Sequence, residues 1–244
     1  MDGGLWITWY DLPAEGRGAY LSWLHETYMP KILRRPGILW GAHYAEIEKP
    51  AGPPFPRPIN HTHDSSVPIG GRYILLFGAE YPAVFGNPVP SSLNAALPET
   101  SRKMLSMRIG ERVNIMAETG RVEGPDAKAQ QAGMMPANCI QLGTYNTSWQ
   151  DEEDMLAWYM QGRLPALRVM PGCVRTRTLV SASGWAKHGV LYEFSSLEIR
   201  NKNFDRLKDK PAEVKAWGDQ VIPRLVHAPT SPNLACRIWP AMTS

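Results

Sequence analysis

The chain has 244 residues, 43% of them hydrophobic and 20% charged, which places it among ordinary globular proteins and excludes a disordered composition. A formal net charge of +3, with Lys and Arg scattered along the chain, excludes the electrostatic footprint of a nucleic-acid binder. Three cysteines, Cys139, Cys173 and Cys236, lack Cys-x-x-Cys spacing, which excludes a disulfide framework and a zinc ribbon and leaves reduced core residues. The sequence shows neither a basic-then-apolar leader nor a run of about eighteen apolar residues, so the expected location is the cytoplasm, with no membrane partner.

Leu5 to Tyr10 is a short run of aromatic and β-branched residues and predicts a first strand. A helix is predicted from about Ala14 to Arg34, since Leu21, Leu24, Tyr28 and Ile32 recur at three- and four-residue spacing and Pro36-Gly37 stops it. Pro30 lies inside that pattern and should kink the last turns, because it removes a backbone donor. Strands follow at Ile38 to Glu46 and Tyr73 to Glu80, separated by a Pro- and Gly-dense excursion from Lys49 to Gly71 that reads as a lid or an ordered loop. A second helix, interrupted by Pro98, is expected between Ser91 and Met107, then a strand near Arg112 to Met116 and a linker from Thr119 to Pro136. The plan then begins again: a strand at Ile140 to Tyr145, a helix from Gln150 to Val169, strands at Cys173 to Ser181 and Gly189 to Phe194, a helix near Pro211 to Leu225 and a strand near Leu234 to Trp239.

The segment Leu21 to Gly37 echoes without a gap in Leu156 to Gly172, matching Leu21 with Leu156, Trp23 with Trp158, Pro30 with Pro165 and Pro36-Gly37 with Pro171-Gly172. Trp, Pro and Gly carry packing and backbone roles that are hard to imitate, so the echo reads as a duplicated unit. The expected organisation is residues 1–118, a linker at 119–138, and residues 139–244, each unit in the order β-α-β-β-α-β. That is the ferredoxin-like arrangement, an α+β antiparallel sheet with helices on one face. The other faces of two such sheets would cover each other as a closed barrel, with a cavity where inward side chains are small or polar.

Tyr28-Met29-Pro30, five residues, then Pro36-Gly37, and Arg163-Leu164-Pro165, five residues, then Pro171-Gly172, resemble the dimeric α/β-barrel superfamily, and within it proteins of the EthD type. There the first helix ends in His-x-Pro followed by five residues and Pro-Gly. Tyr28 and Arg163 stand where that family has histidine, so the acid/base role of that histidine does not carry over unaltered. The resemblance implies the fold and leaves the reaction open, since the superfamily spans cofactor-free monooxygenases, isomerases, cyclases, decarboxylases and haem enzymes. A haem reading would need a histidine on the correct helix, and His227 near the last helix is its candidate.

Several residues are candidates for chemistry. His61 and His63, with Asp64, sit in the excursion, as lid acid/base groups, metal ligands or a solvated loop. On the second strand Trp40, Ala42 and Tyr44 alternate with Leu39, Gly41 and His43; at the same offset Trp40 and Ala42 correspond to Arg175 and Arg177. Those arginines either hold a substrate anion in the cavity or pair with Glu193. Tyr28 or a lid histidine would move the proton, and Trp40, Tyr44, Arg163, Arg175 and Tyr192 would line the substrate. His25 reads as a packing residue.

The sequence therefore points to a cofactor-independent enzyme that transfers protons on a small apolar, aromatic or polyketide-like acid or enolisable carbonyl compound, as an isomerase, cyclase, lyase or decarboxylase. A non-catalytic binding or stress-related barrel and a cofactor-free monooxygenase of the antibiotic-biosynthesis type are the alternatives. The expected partners are the small-molecule substrate and, as an option, a second copy of the chain; no cofactor or metal is expected.

Overall fold

β1 (Gly4–Asp11) alternates Leu5, Ile7 and Trp9 on one face with Trp6, Thr8 and Tyr10 on the other, and all six are buried because the strand has packing partners on both sides. The computed structural model describes residues 2–47, 59–128, 135–204 and 212–241. After β1 comes α1 (Arg17–Trp23), which widens into a π-helical turn at Leu24–Tyr28 and resumes as α2 (Met29–Leu33). Pro30 explains the widening: it has no N–H to donate and its ring crowds the carbonyl one turn back, and the wider turn accommodates both defects. The helix starts three residues later than the sequence suggests, since Asp11 stays in the strand and its carboxylate accepts from the backbone N–H groups of Gly71 and Arg72. Gly37, at φ 84°, makes the left-handed turn that the Pro-Gly stop requires.

β2 (Ile38–Glu46), β3 (Asn60–His61) and β4 (Tyr73–Ala79) follow, then α3 (Pro90–Ala95), α4 (Glu99–Leu105) and β5 (Ile109–Glu123). β5 overruns the expected linker. Its first part pairs with β1 and its second with β7, with a register shift between Glu118 and Gly120, so one strand spans both halves. β6 (Cys139–Asn146) leads to α5 (Glu152–Ala157), a second π-helical turn (Trp158–Arg163) and α6 (Leu164–Arg168), with Pro165 just past the turn as Pro30 is in the first half. β7 (Cys173–Ser183) and β8 (His188–Phe194) precede α7 (Leu197–Asn203), a helix the sequence pattern did not reveal; the Ser196 hydroxyl caps it by accepting from the Ile199 N–H. α8 (Ala212–Val221), β9 (Val226–His227) and β10 (Asn233–Trp239) complete the chain.

Eight strands close on themselves in the order β2-β4-β1-β5-β7-β8-β6-β10, with β10 returning to β2, and β9 and then β3 extend the sheet beyond β6. The first half contributes β2-β4-β1-β5 and the second β7-β8-β6-β10. An eight-stranded barrel is just wide enough for its own side chains. Its lumen is lined by a buried cluster that includes Leu5, Ile7, Trp9, Leu76, Ile140 and Leu191. The helices cover the outside of the wall in two further cores, one around Tyr20, Tyr28 and Phe77, the other around Trp158, Phe194 and Phe204. The three cysteines are free. Among the described residues no helix is long and apolar enough to cross a membrane.

Candidate functional site

On the outer face of the first-half wall, under α1 and its π-helical turn, the strands place Tyr10, His43 and Tyr73 side by side, because β1, β4 and β2 are neighbours and these residues share one parity. The His43 Nε2 lies 2.8 Å from the Tyr10 hydroxyl, and its Nδ1 lies 2.9 Å from Nε2 of His25. The Tyr10 ring meets that of Tyr20 edge-on, with centres 5.8 Å apart, and the Tyr20 hydroxyl accepts from Arg108 Nε at 2.6 Å. The result is a hydrogen-bonded line, His25–His43–Tyr10, with a second pair, Tyr20–Arg108, against its buried end. The Arg108 guanidinium stands 4.6 Å from the Tyr10 ring centre and 5.7 Å from that of Tyr28, and Tyr28 donates to Asn94 at 2.8 Å. His43 and Tyr10 are fully buried, whereas His25 is half-exposed and stacks on Trp239.

Burial sets the electrostatics of this set of residues. It holds His43 well below the ordinary histidine value, helped by repulsion from His25 and Arg108, and it lowers His25, against a smaller pull from Glu26. Both imidazoles are therefore neutral at neutral pH and available as bases. Burial also raises Tyr10, Tyr20 and Tyr28, keeping the phenols protonated. Arg108 keeps its charge although burial works against it, because Tyr20, Tyr10 and Glu111 outweigh that cost. One of its terminal nitrogens, Nη2, is buried without a hydrogen-bond partner. A neutral, half-exposed imidazole whose other nitrogen donates to a buried imidazole can take a proton from a bound molecule and hold the charge it gains.

The lumen-facing candidates sit elsewhere and are paired. Arg177, fully buried, meets Glu193 at 3.1 Å, the pairing that the sequence offered as the alternative to a substrate anion, and also Asp2 at 2.8 Å, which it did not indicate. Arg175 pairs with Glu123 at 2.9 Å. Trp40 donates to Asp2, and Tyr44 to the Ala137 carbonyl, both inside the barrel. Arg163 and Tyr192 share a hydrogen bond on the outer face of the second half, beside Phe204. His61 is exposed on β3 and bonded to the Ser231 carbonyl, and His63 is also exposed. The excursion does reach a barrel mouth, where the Gly71 carbonyl accepts from buried Asn233, but it does so with backbone rather than with its histidines. Its residues 49–58 lie outside the described set.

No protein-family model matches the chain, and no curated protein matches it in sequence. Among solved structures it superposes on an anthrone oxidase-like protein with a TM-score of 0.60 at 8% identity, covering 98% of this chain and 92% of that one. A protein of Fusobacterium nucleatum subsp. nucleatum ATCC 25586, provisionally described as a monooxygenase, gives 0.57 at 8% identity over 96% and 92%. Another with the same provisional description, from Lactobacillus acidophilus NCFM, gives 0.52 at 10% identity over 97% and 94%. The fold is the dimeric α/β-barrel. At such identities the likeness is one of fold alone, and the chemistry of this barrel has to be argued from its own residues.

A haem does not fit those residues. It needs a helix-borne histidine facing a slot wide enough for the macrocycle. His25 is the one histidine on a helical segment; its Nε2 is engaged by His43, and the space beneath is filled by Tyr20 and Tyr28. His227 lies on β9 with its ring against Tyr145, and Met160 stands in the second half at the offset of His25. Among the described residues no three His, Cys, Asp or Glu side chains are grouped to hold a metal. The sequence reading passed over His25, His43, Tyr10, Tyr20 and Arg108 because it sought the site inside the barrel. The available signal was parity: His43 alternates with Trp40, Ala42 and Tyr44, and so faces the helices when they face the lumen.

Proposed function

We propose that the protein is a cofactor-independent enzyme that moves protons on a small, enolisable, aromatic or polyketide-like carbonyl compound or acid, and that its site is the first-half outer wall. The observation that carries this reading is the hydrogen-bonded line from half-exposed His25 through His43 to Tyr10, with the Tyr20–Arg108 pair packed against its buried end. His25, neutral because burial lowers its pKa, accepts the substrate proton on the nitrogen not bonded to His43. His25 holds that proton as an imidazolium whose Nε2–H donates to His43 Nδ1, next to the carbanion it has made and with Glu26 favouring the charge, and returns it to the substrate or to solvent at its half-exposed face. Arg108, with a spare N–H and no freedom to lose its charge, favours negative charge in its neighbourhood. Trp239 and Trp23 flank the open end and suit a planar substrate.

We also infer that the chain is a fusion of two ferredoxin-like units, residues 1–118 and 139–244, of EthD type. The gapless offset, a π-helical turn ahead of Pro30 and of Pro165, and the matching strand orders of the halves support that reading. The test of function is solvent deuterium incorporation into a panel of enolisable aromatic ketones and β-keto acids. Wild type should exchange an acidic C–H, and His25→Ala should slow that exchange about a hundredfold, the lower range for loss of a general base.

A second reading is an oxygenase, in which the same deprotonation yields a carbanion that reacts with O2. It is favoured by the descriptions of the structural neighbours as anthrone oxidase-like and monooxygenase. Oxygen consumption with an anthrone-type substrate separates the two. A barrel that only binds would retain ligand affinity in His25→Ala and catalyse neither exchange nor oxidation.

A further inference from the structure

At the barrel mouth opposite Arg177, a second buried arginine lacks what Arg177 has. Arg112 is 4% exposed, and its guanidinium carbon lies 3.8 Å from the centre of the Trp9 ring. Its hydrogen bonds go to neutral groups: Nη1 to the Asn114 side-chain oxygen and the Trp185 carbonyl, Nη2 to the Thr144 hydroxyl, each at 3.2 Å. These three bonds leave two of the five guanidinium N–H groups unused. Among the described residues no carboxylate pairs with it, and burial alone pulls its pKa down to about 10. Neutral partners satisfy its geometry but not its charge.

Two further unmet groups converge on the same place. The Trp9 indole N–H and the Asn233 side-chain oxygen are buried without a partner, one a donor and the other an acceptor. Trp9 is opposite Arg112 across β1 and β5, and Asn233 is opposite Leu142, two residues along the same face of β6 from Thr144. The Arg112 to Thr144 bond ties those two walls together across the lumen.

A cleft of about 320 Å³ lies on the outer side of the β7–β8 turn, lined by Asn146 and Ser181 to Lys187, and the turn itself stands between it and Arg112. The turn is fastened to the buried groups: the Trp185 carbonyl accepts from Arg112, and the Ala186 carbonyl from Asn114. Ala186 itself has φ 86°, a left-handed conformation that a residue with a Cβ adopts only against a steric cost, and such strain gathers where a surface is shaped for a ligand.

We propose that this mouth is a second binding site, for a small hydroxycarboxylate approached past the Ser181–Lys187 turn. Its carboxylate would be met by the unused N–H groups of Arg112 and by the Trp9 indole, and its hydroxyl would donate to Asn233. The site is distinct from the His25 wall and stands whether or not that wall is catalytic.

The experiment is a titration of the full chain, labelled with 15N at tryptophan, with glycolate, acetate, sodium chloride and methylammonium. The Trp9 indole signal is assigned by its loss in Trp9→Phe. Glycolate should move that signal saturably, acetate should bind about tenfold more weakly for want of the hydroxyl, and the other two should do nothing. Arg112→Gln should abolish the response. Asn233→Leu, which keeps the cation and serves if Arg112→Gln does not fold, should lower glycolate affinity to that of acetate. A Trp9 signal that moves no more with glycolate or acetate than with sodium chloride at equal ionic strength overturns the proposal, and so does a glycolate response that survives in both variants.

Discussion

Two buried polar systems lie on opposite faces of one barrel wall, and they are built on different rules. In the lumen, Asp2, Glu118, Arg121, Arg177 and Glu193 form a network in which each arginine meets carboxylates: Arg121 reaches Asp2 at 2.7 Å and Glu118 at 2.6 Å, Arg177 reaches Asp2 and Glu193. Burial would raise the Asp2 carboxyl, but Arg177 and Arg121 outweigh it and hold that group below its ordinary value; at Glu193 burial prevails over Arg177 and Arg175. Outside the wall, His25, His43 and Tyr10 are neutral and joined end to end, Tyr20 packs against Tyr10, and the one cation, Arg108, pairs with Glu111 and keeps a spare donor. Charges matched within the protein balance one another, even where single atoms such as Arg177 Nε and Nη2 make no hydrogen bond, and their loss is felt as instability. Neutral groups held in line can change state without unbalancing a buried charge, and their loss is felt as chemistry.

The sharpest way to break this contrast is Arg177→Met, which leaves buried Asp2 with Arg121 alone and buried Glu193 with only Arg175 at 4.0 Å. We expect a loss of about 3 to 5 kcal/mol of stability, read by urea denaturation, with deuterium exchange intact in the molecules that remain folded. Unchanged stability with lost activity would move the site into the lumen.

Acid separates the two systems next. His43 and His227 are both held neutral by burial, His227 with its pKa lowered from 6.5 to about 4. As pH falls the unfolded chain takes up these protons first, so their contribution is complete above about pH 6.5 and declines through the window down to each folded pKa. For His227 alone the decline from 6.5 to about 4 is on the order of 3 kcal/mol. Asp2, whose pKa is lowered from 3.8, keeps its contribution until the pH drops below that value. Stability that stays flat from neutral pH to the low end of the His227 window would contradict the assignment, and His227→Asn should flatten that limb.

Tyr10→Phe tests the line more gently. Removing one hydroxyl leaves His43 Nε2 without a partner, which should cost about 1 to 2 kcal/mol in stability and slow exchange about tenfold. The smallest effect is expected from Lys103→Ala, which breaks an exposed pair with Glu99 in neither system and should change stability by less than about 0.5 kcal/mol. An effect of similar size from Tyr10→Phe would show that the line is only packing.

Much of the fold was legible. Strand positions, the two Pro-kinked helices and the Pro-Gly stops all follow from local periodicity and backbone chemistry, which act over a few residues. α7 was missed because its seven residues carry no apolar stripe, and β5 was cut short because Gly120 looks like the start of a linker when it marks a shift of register. The site was less legible. His25 and His43 are 18 residues apart and lie on different elements, and Arg108 joins them from beyond α4, so only tertiary packing reveals the set. Arg177 was visible, but its partner Asp2 lies 175 residues away at the start of the chain, where no pattern marks it. Of its two partners only Glu193, on the neighbouring strand, could be read as a candidate from the sequence.

The claim that proton chemistry belongs to the outer wall is tested most directly by one comparison, the rate of C–H deuterium exchange on an enolisable aromatic ketone by His25→Ala and by Arg177→Met, under conditions where both are folded. The account predicts a rate about a hundredfold below wild type for His25→Ala and a near wild-type rate per folded molecule for Arg177→Met. The reverse order, with His25→Ala active and folded Arg177→Met inert, would contradict it.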